Sequence, residues 1–339
     1  MQDKKHLKTP YPWVFSAALA LLLAALALSV CVGKYPISLR EIFIILSGQS
    51  QEVPGMTVRV FWELRLPRTL MAALAGIGLG MAGSVYQTIF KNPLAAPDII
   101  GVASGANLGA AIVIVALGNV TLLVAGGAFL GGLVAVGAVM LLVRVTRLNN
   151  TATYILAGIV ITAVSESLIM TLKFFADREN ELATIEFWSM GSFGGVTAAK
   201  LPAVAPVFLL GLLGMILLRR QIALLALDED ECRMLGLNIV QVRLVILGFS
   251  TLAIAAIISV TGVISFIGLI APHIARLILQ RNNFSAGVLS ALTGAIILVL
   301  ADCLARSLYS AEIPISILTS LISVPFLVFF MSNKKKGRL

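Results

Sequence analysis

Few side chains in this sequence could do chemistry, and they lie far apart. The two histidines, His6 and His273, share no HExxH spacing, so a paired-histidine metal site is not indicated. Cys31, Cys232 and Cys303 have no CxxC spacing and read as small apolar packing residues. No GxxxxGK[ST] stretch occurs, so the chain carries no P-loop of its own. No nucleophile, base and orienting group form a constellation, and no metal or cofactor is expected. Transport is favoured over catalysis.

Four features remain. Glu166 lies at the middle of an apolar run, between Ser165 and Ser167. A carboxylate there is expensive and normally faces a cavity or a partner. It either lines a pathway or is protonated and hydrogen-bonded, with Lys173 as a possible partner about two turns on. Arg65, Arg68 and Arg306 gather at helix ends that should otherwise be poor in positive charge. They read either as a basic rim for an acidic partner or as locally paired, since Asp302 and Arg306 are spaced i,i+4. The run Asp228, Glu229, Asp230, Glu231 interrupts a basic face. It is a solvated loop or a docking element for a cytoplasmic motor. His273 in GLIAPHIAR is expected to make structural hydrogen bonds.

The elements that position these residues are membrane helices. Of 339 residues, 59% are hydrophobic and 12% charged, against about 25% charged in a soluble domain; mean hydropathy is +1.01. Ten spans are expected: 13–32, 67–90, 97–117, 121–143, 151–175, 201–218, 239–260, 263–279, 285–308 and 313–331. A short helix is expected near 38–46, and a short amphipathic pair at 224–236. The first span is read as an uncleaved helix rather than a signal peptide. The stretch 65–106 is rich in glycine, and Gly76, Gly80 and Ser84 recur every fourth position on one face. Small residues of this kind let membrane helices approach closely, so spans two and three are expected to pack as a tight hairpin.

Charge sets the orientation. With both termini inside, sixteen Lys/Arg fall on the inner face and nine on the outer, as the positive-inside rule requires. The net charge of +9 therefore reflects topology, not nucleic-acid binding. The expectation is an all-α polytopic protein, a single transmembrane domain over 1–339, with segment 221–238 in the cytoplasm. Spans two to five and seven to ten start in opposite directions, as an inverted repeat would.

Several ordered motifs resemble the FecCD family of permease subunits of type II ATP-binding-cassette importers, which carry ferric siderophores, haem and cobalamin. They are Arg65-Leu66-Pro67-Arg68, Asn92-Pro93-Leu94-Ala95 with Gly101 to Gly105, Leu156-Ala157-Gly158, Trp188 to Ser192, Leu235-Gly236, GVISFIGLIAPHIAR from Gly262, and Ala301 to Arg306. The resemblance covers nearly the whole chain and implies the fold of the cobalamin-importer permease. It implies that Arg65, Arg68 and Arg306 receive glutamates of an external substrate-binding protein. Asp228, Glu229, Asp230, Glu231, Arg233, Leu235 and Gly236 would form the segment coupled to an ATPase subunit. Asn92, Leu94 and Thr151 would surround a cytoplasmic gate, where Ala152 departs from the small hydroxyl residue of the cobalamin importer. Ile315-Ser316 also departs from the usual Val/Gly pattern. The implied partners are a second permease protomer, two cytoplasmic ATP-binding subunits, the binding protein, and the lipid of a prokaryotic inner membrane. The cargo favoured by that likeness is a ferric siderophore, with haem and cobalamin as alternatives. A proton-coupled secondary transporter using Glu166 is the rival class.

Overall fold

The computed structural model describes residues 11–146, 151–309 and 311–335, with side chains of Tyr11 and of 329–335 left aside. The basic N-terminal segment 1–10, Arg147 and the tail residues 336–339 lie outside the described residues. The elements are α1 (Tyr11–Cys31), α2 (Leu39–Leu46), α3 (Gly55–Arg59), a π-helical turn (Val60–Arg65), α4 (Leu66–Ile89), a 3-10 turn (Pro97–Ile100), α5 (Val102–Leu117) and α6 (Thr121–Thr146). There follow α7 (Thr151–Phe175), α8 (Glu181–Ser189), α9 (Leu201–Leu217), α10 (Arg219–Leu224), α11 (Glu229–Met234), α12 (Ile239–Thr261), α13 (Ile267–Leu279), α14 (Phe284–Ser307) and α15 (Ile315–Lys335). Among the described residues six helices are long and apolar enough to cross a membrane, and four shorter apolar helices complete the ten expected spans.

Helix α4 is the axis of the bundle. Its residues are buried on nearly every side, from Pro67 to Ile89. The expected small-residue face exists: an added Cβ on Gly76 or Gly80 would overlap backbone of Gly294 and Ser290, while Ser84 sits beside Gly287. Ser290 Oγ also donates to the Gly80 carbonyl at 2.6 Å. All three of those partners are on α14. The expected hairpin of spans two and three is therefore overturned. α4 packs on α14 and α13, and α5 packs on α6, through a second glycine seam of Gly105 and Gly109 against Gly127 and Gly131. Small residues show that helices approach closely, but not which helices.

The contacts repeat. α4 touches α13 and α14 as α12 touches α5 and α6; α5 touches α6 and α7 as α13 touches α14 and α15; α6 meets α7 as α14 meets α15. Exchanging α4–α7 with α12–α15 maps the packing onto itself, so the repeat is real at the level of helix pairing. Each half also breaks its second span. Gly101, at φ +81°, separates the 3-10 turn from α5, a conformation that glycine adopts without steric cost. In the other half Gly262 and Phe266 have positive φ (71° and 69°), and the span expected from 263 starts only at Ile267. The non-helical backbone between them is tied inside the protein: Ser192 N donates to the Thr261 carbonyl (2.7 Å) and Ser316 Oγ to that of Val263 (2.8 Å). Irregular backbone at membrane depth is tolerated where it is buried in protein or lines a water-filled cavity.

Candidate functional site

Two clusters lie at opposite ends of the bundle. The first holds the arginines. Arg68, on the first turn of α4, grips Asp302 on α14 with Nε at 3.0 and 3.1 Å and Nη2 at 2.8 Å. Its Nη1 donates to Glu312 at 2.8 Å. Asp302 is 0% exposed and Arg306 3%; Arg306 Nε stands 3.4 Å from Asp302 Oδ2. Arg306 Nη2 also donates to the carbonyl and hydroxyl of Ser29 at 2.6 and 2.7 Å, and Ser29 Oγ bonds Thr69 Oγ1 at 2.7 Å. This network fastens α1, α4 and α14 together. The i,i+4 pair anticipated at Asp302 and Arg306 is present, inside a larger constellation that includes Glu312, which the sequence did not single out.

Arg65 differs. It ends the π-helical turn and donates to the carbonyls of Val32 (2.8 Å) and Tyr35 (3.2 Å). No carboxylate lies within 4 Å of it among the described residues. Two guanidinium groups, those of Arg68 and Arg306, thus share two carboxylates, and the charge without a carboxylate belongs to Arg65. All three arginines are nonetheless buried, so the expected rim is set into the protein rather than standing on it.

The second cluster is the acidic segment. Asp228 caps α11 with Glu231 in a reciprocal capping box, which satisfies two otherwise free backbone donors at the helix start. Cys232 is buried, its Sγ 3.1 Å from the Leu224 carbonyl, and holds α11 against α10. That pairing leaves Asp230, Glu231, Arg233, Met234, Leu235 and Gly236 exposed. Met234 and Leu235, 79% and 61% exposed, present bare apolar surface beside the acids.

Beside this segment lie the four residues matched to a gate. Asn92 Oδ1 accepts from Leu94 N at 2.9 Å, closing the turn after α4. Thr151 and Ala152 open α7. The Tyr154 ring, 5.9 Å from that of Phe90, joins the two elements. The Arg243 guanidinium lies over the same Tyr154 ring at 5.2 Å and stands 3.7 Å from Glu229. A physical chain Glu229–Arg243–Tyr154–Phe90 therefore links the acidic segment to the foot of α7 and the end of α4. Neither Arg243 nor Tyr154 was singled out from sequence. The signal was a cation about one turn into an otherwise apolar span.

Glu166 sits exposed on α7, which also exposes Leu156, Val160, Val164 and Met170 at other positions around the helix. Lys173 is not its partner; it pairs with Glu186 on α8 at 2.7 Å. His273 makes the expected structural bond, Nδ1 to the Leu269 carbonyl at 2.8 Å, with Arg276 holding Gln87 of α4 alongside.

The FecCD transport family model matches residues 21–333. The chain belongs to that family. Among curated relatives, the molybdate import permease of Haemophilus influenzae is 33% identical over 329 residues, covering 96% of this chain and 97% of its own. The haemin transport permease of Yersinia pestis is 33% identical over 338 residues (96% and 98%), and the ferric enterobactin permease of Escherichia coli 33% over 306 residues (90% and 91%). A solved metal-chelate type ABC transporter in an inward-facing conformation superposes with a TM-score of 0.83 at 33% identity, covering 95% of this chain and 99% of that one. This FecCD chain is a multi-pass permease subunit of an ABC importer, a transporter component and not an enzyme.

Proposed function

We propose that the chain is the membrane-spanning half of an ATP-driven importer for ferric siderophores, working as a pair of permeases with two separate ATPase subunits and an external binding protein. α11 with its exposed acids, Met234 and Leu235 is the surface offered to the ATPase. Its motion passes through Arg243 and Tyr154 to α7 and to Asn92 and Leu94, Thr151 and Ala152, which surround the cytoplasmic gate. The opposite end faces the binding protein, with Arg65 supplying the charge without a carboxylate for an acidic lobe, and Arg68 and Arg306 holding the rim in shape. The apolar, exposed face of α7 lies against the second permease near the pore.

Cargo is the finer step. The observation that carries it is the match, at 33% identity over 95% of this chain, to a solved metal-chelate type transporter. Likeness to the ferric enterobactin permease and to the metal-chelate transporter supports the siderophore; haem and cobalamin are the alternatives in the same chemical class. The test is uptake in cells lacking the chain, complemented with wild type or Asp230→Lys/Leu235→Asp, with and without active ATPase. The cargo panel is ferric siderophores, haemin, cobalamin and molybdate. ATPase-dependent rescue of ferric siderophore uptake, abolished in the double variant, is expected. Rescue that needs no ATPase and collapses with the proton gradient would overturn the reading in favour of a proton-coupled carrier.

A further inference from the structure

The outer halves of α6 and α9 diverge over the end of α12 and leave a cavity of about 880 Å³. It runs from Thr121 to Phe129 on α6 and from Lys200 to Val207 on α9. Eight residues of helix make about 12 Å of depth, close to the roughly 15 Å of one leaflet's hydrocarbon. The deep walls are apolar, including Val204, Val207, Ala256 and Phe129. The hydroxyls at its α12 end are spent on backbone: Ser259 Oγ on the Ala256 carbonyl and Thr261 Oγ1 on that of Ile257. Leu122 and Phe187 at the mouth are 78% and 54% exposed. No residue of α7 or α15 lines it, so it is separate from the face assigned to the second permease.

Two charged side chains reach this cavity. Glu312 is held by Arg68 at 2.8 Å. Lys200 is not matched: no carboxylate lies within 4 Å among the described residues, and its one hydrogen bond runs to the Gly195 carbonyl at 2.6 Å. Partial burial lowers its pKa, as desolvation of an ammonium does. Two of its three donors are left for an anion.

We propose that this groove binds one anionic membrane phospholipid, with an acyl chain lying between α6 and α9 on α12 and the headgroup phosphate at Lys200. Charge complementarity selects this occupant: an unpaired cation at the interfacial end of an apolar channel matches an anionic headgroup on an apolar tail. An apolar protein segment would leave the ammonium unmatched.

Trp188 lines the cavity and reports on it. With Trp13→Phe and Trp62→Phe it becomes the chain's single tryptophan. The full chain in nanodiscs is titrated with brominated phosphatidylglycerol or brominated phosphatidylcholine. Stronger quenching of Trp188 by the anionic lipid is expected. Lys200→Gln should erase the headgroup preference. Gly126→Leu fills the groove from a position where an added Cβ meets nothing within 4 Å, keeps the helix, and should abolish quenching. Equal quenching by both lipids in the parent chain, or quenching unchanged by Gly126→Leu, would overturn the proposal. So would shielding of Trp188 that follows the fraction of dimer, which would make the groove a protein interface.

Discussion

The two ends of the bundle use charge in opposite ways. At the arginine end, Arg68, Asp302 and Arg306 are buried, ordered by short hydrogen bonds and shared among three helices. At the acidic end, Asp230, Glu231 and Arg233 are exposed, and the segment is held by a capping box and one buried cysteine. Both ends looked alike in sequence, as charges on the wrong side of the membrane. The difference teaches that an unusual charge is available to a partner only where the fold leaves it unmatched. Arg68, Arg306 and, through the carbonyls of Val32 and Tyr35, Arg65 are spent on the fold, whereas Asp230 makes no ion pair among the described residues.

That contrast is broken first at Asp302. Asp302→Ala leaves two buried guanidinium groups without their common carboxylate, a loss of about 3–5 kcal/mol when one partner of a buried pair is removed. Thermal unfolding in detergent should show a large drop, and yield should fall. If Asp302→Ala is as stable as wild type, the arginine end is not structural and the comparison fails. Arg243→Gln comes next. It removes a cation–π contact worth about 0.5–2 kcal/mol together with the tie to Glu229. Stability should fall modestly, while uptake falls far more and ATP hydrolysis by the assembled complex continues. Uptake and hydrolysis falling together would show that Arg243 serves assembly and not transmission. At the acidic end, Asp230→Lys should leave the melting temperature within the range of about ±0.5 kcal/mol typical of surface changes, yet weaken binding of the ATPase subunit in a pull-down. A destabilised Asp230→Lys would erase the distinction between the ends.

The sequence carried the spans well. The helix expected over 151–175 is Thr151–Phe175, and the one expected near 38–46 is Leu39–Leu46 with Ser38 as cap. Hydropathy reports burial in lipid or protein along a helix, so it finds such boundaries. It does not report backbone twist, and so it missed the break at Phe266, where a bulky residue takes a left-handed conformation. Pairing was equally hidden. Gly76 and Gly80 announce a close neighbour, but that neighbour, α14, lies about two hundred residues away in sequence. The site was legible in part. The acidic run was visible because its chemistry stands out against an apolar chain. Arg243 and Tyr154 were not, because their meaning comes from a ring face and a carboxylate supplied by different elements.

Glu166 gives the smallest expected effect and the sharpest limit on the comparison, because it belongs to neither end. It is an isolated carboxylate on an exposed face of α7, its nearest lysine on the same helix already taken by Glu186. If transport is driven from α11 through Arg243, Glu166 need not cycle a proton. Glu166→Gln should then preserve ATP-dependent siderophore uptake, with no change in its dependence on external pH. A proton-coupled carrier predicts the reverse: loss of uptake on Glu166→Gln, because the neutral amide cannot cycle a proton. Measuring uptake across external pH in the same variant separates the two. A collapse confined to conditions with a proton gradient would move the driving force from the acidic end to the middle of α7.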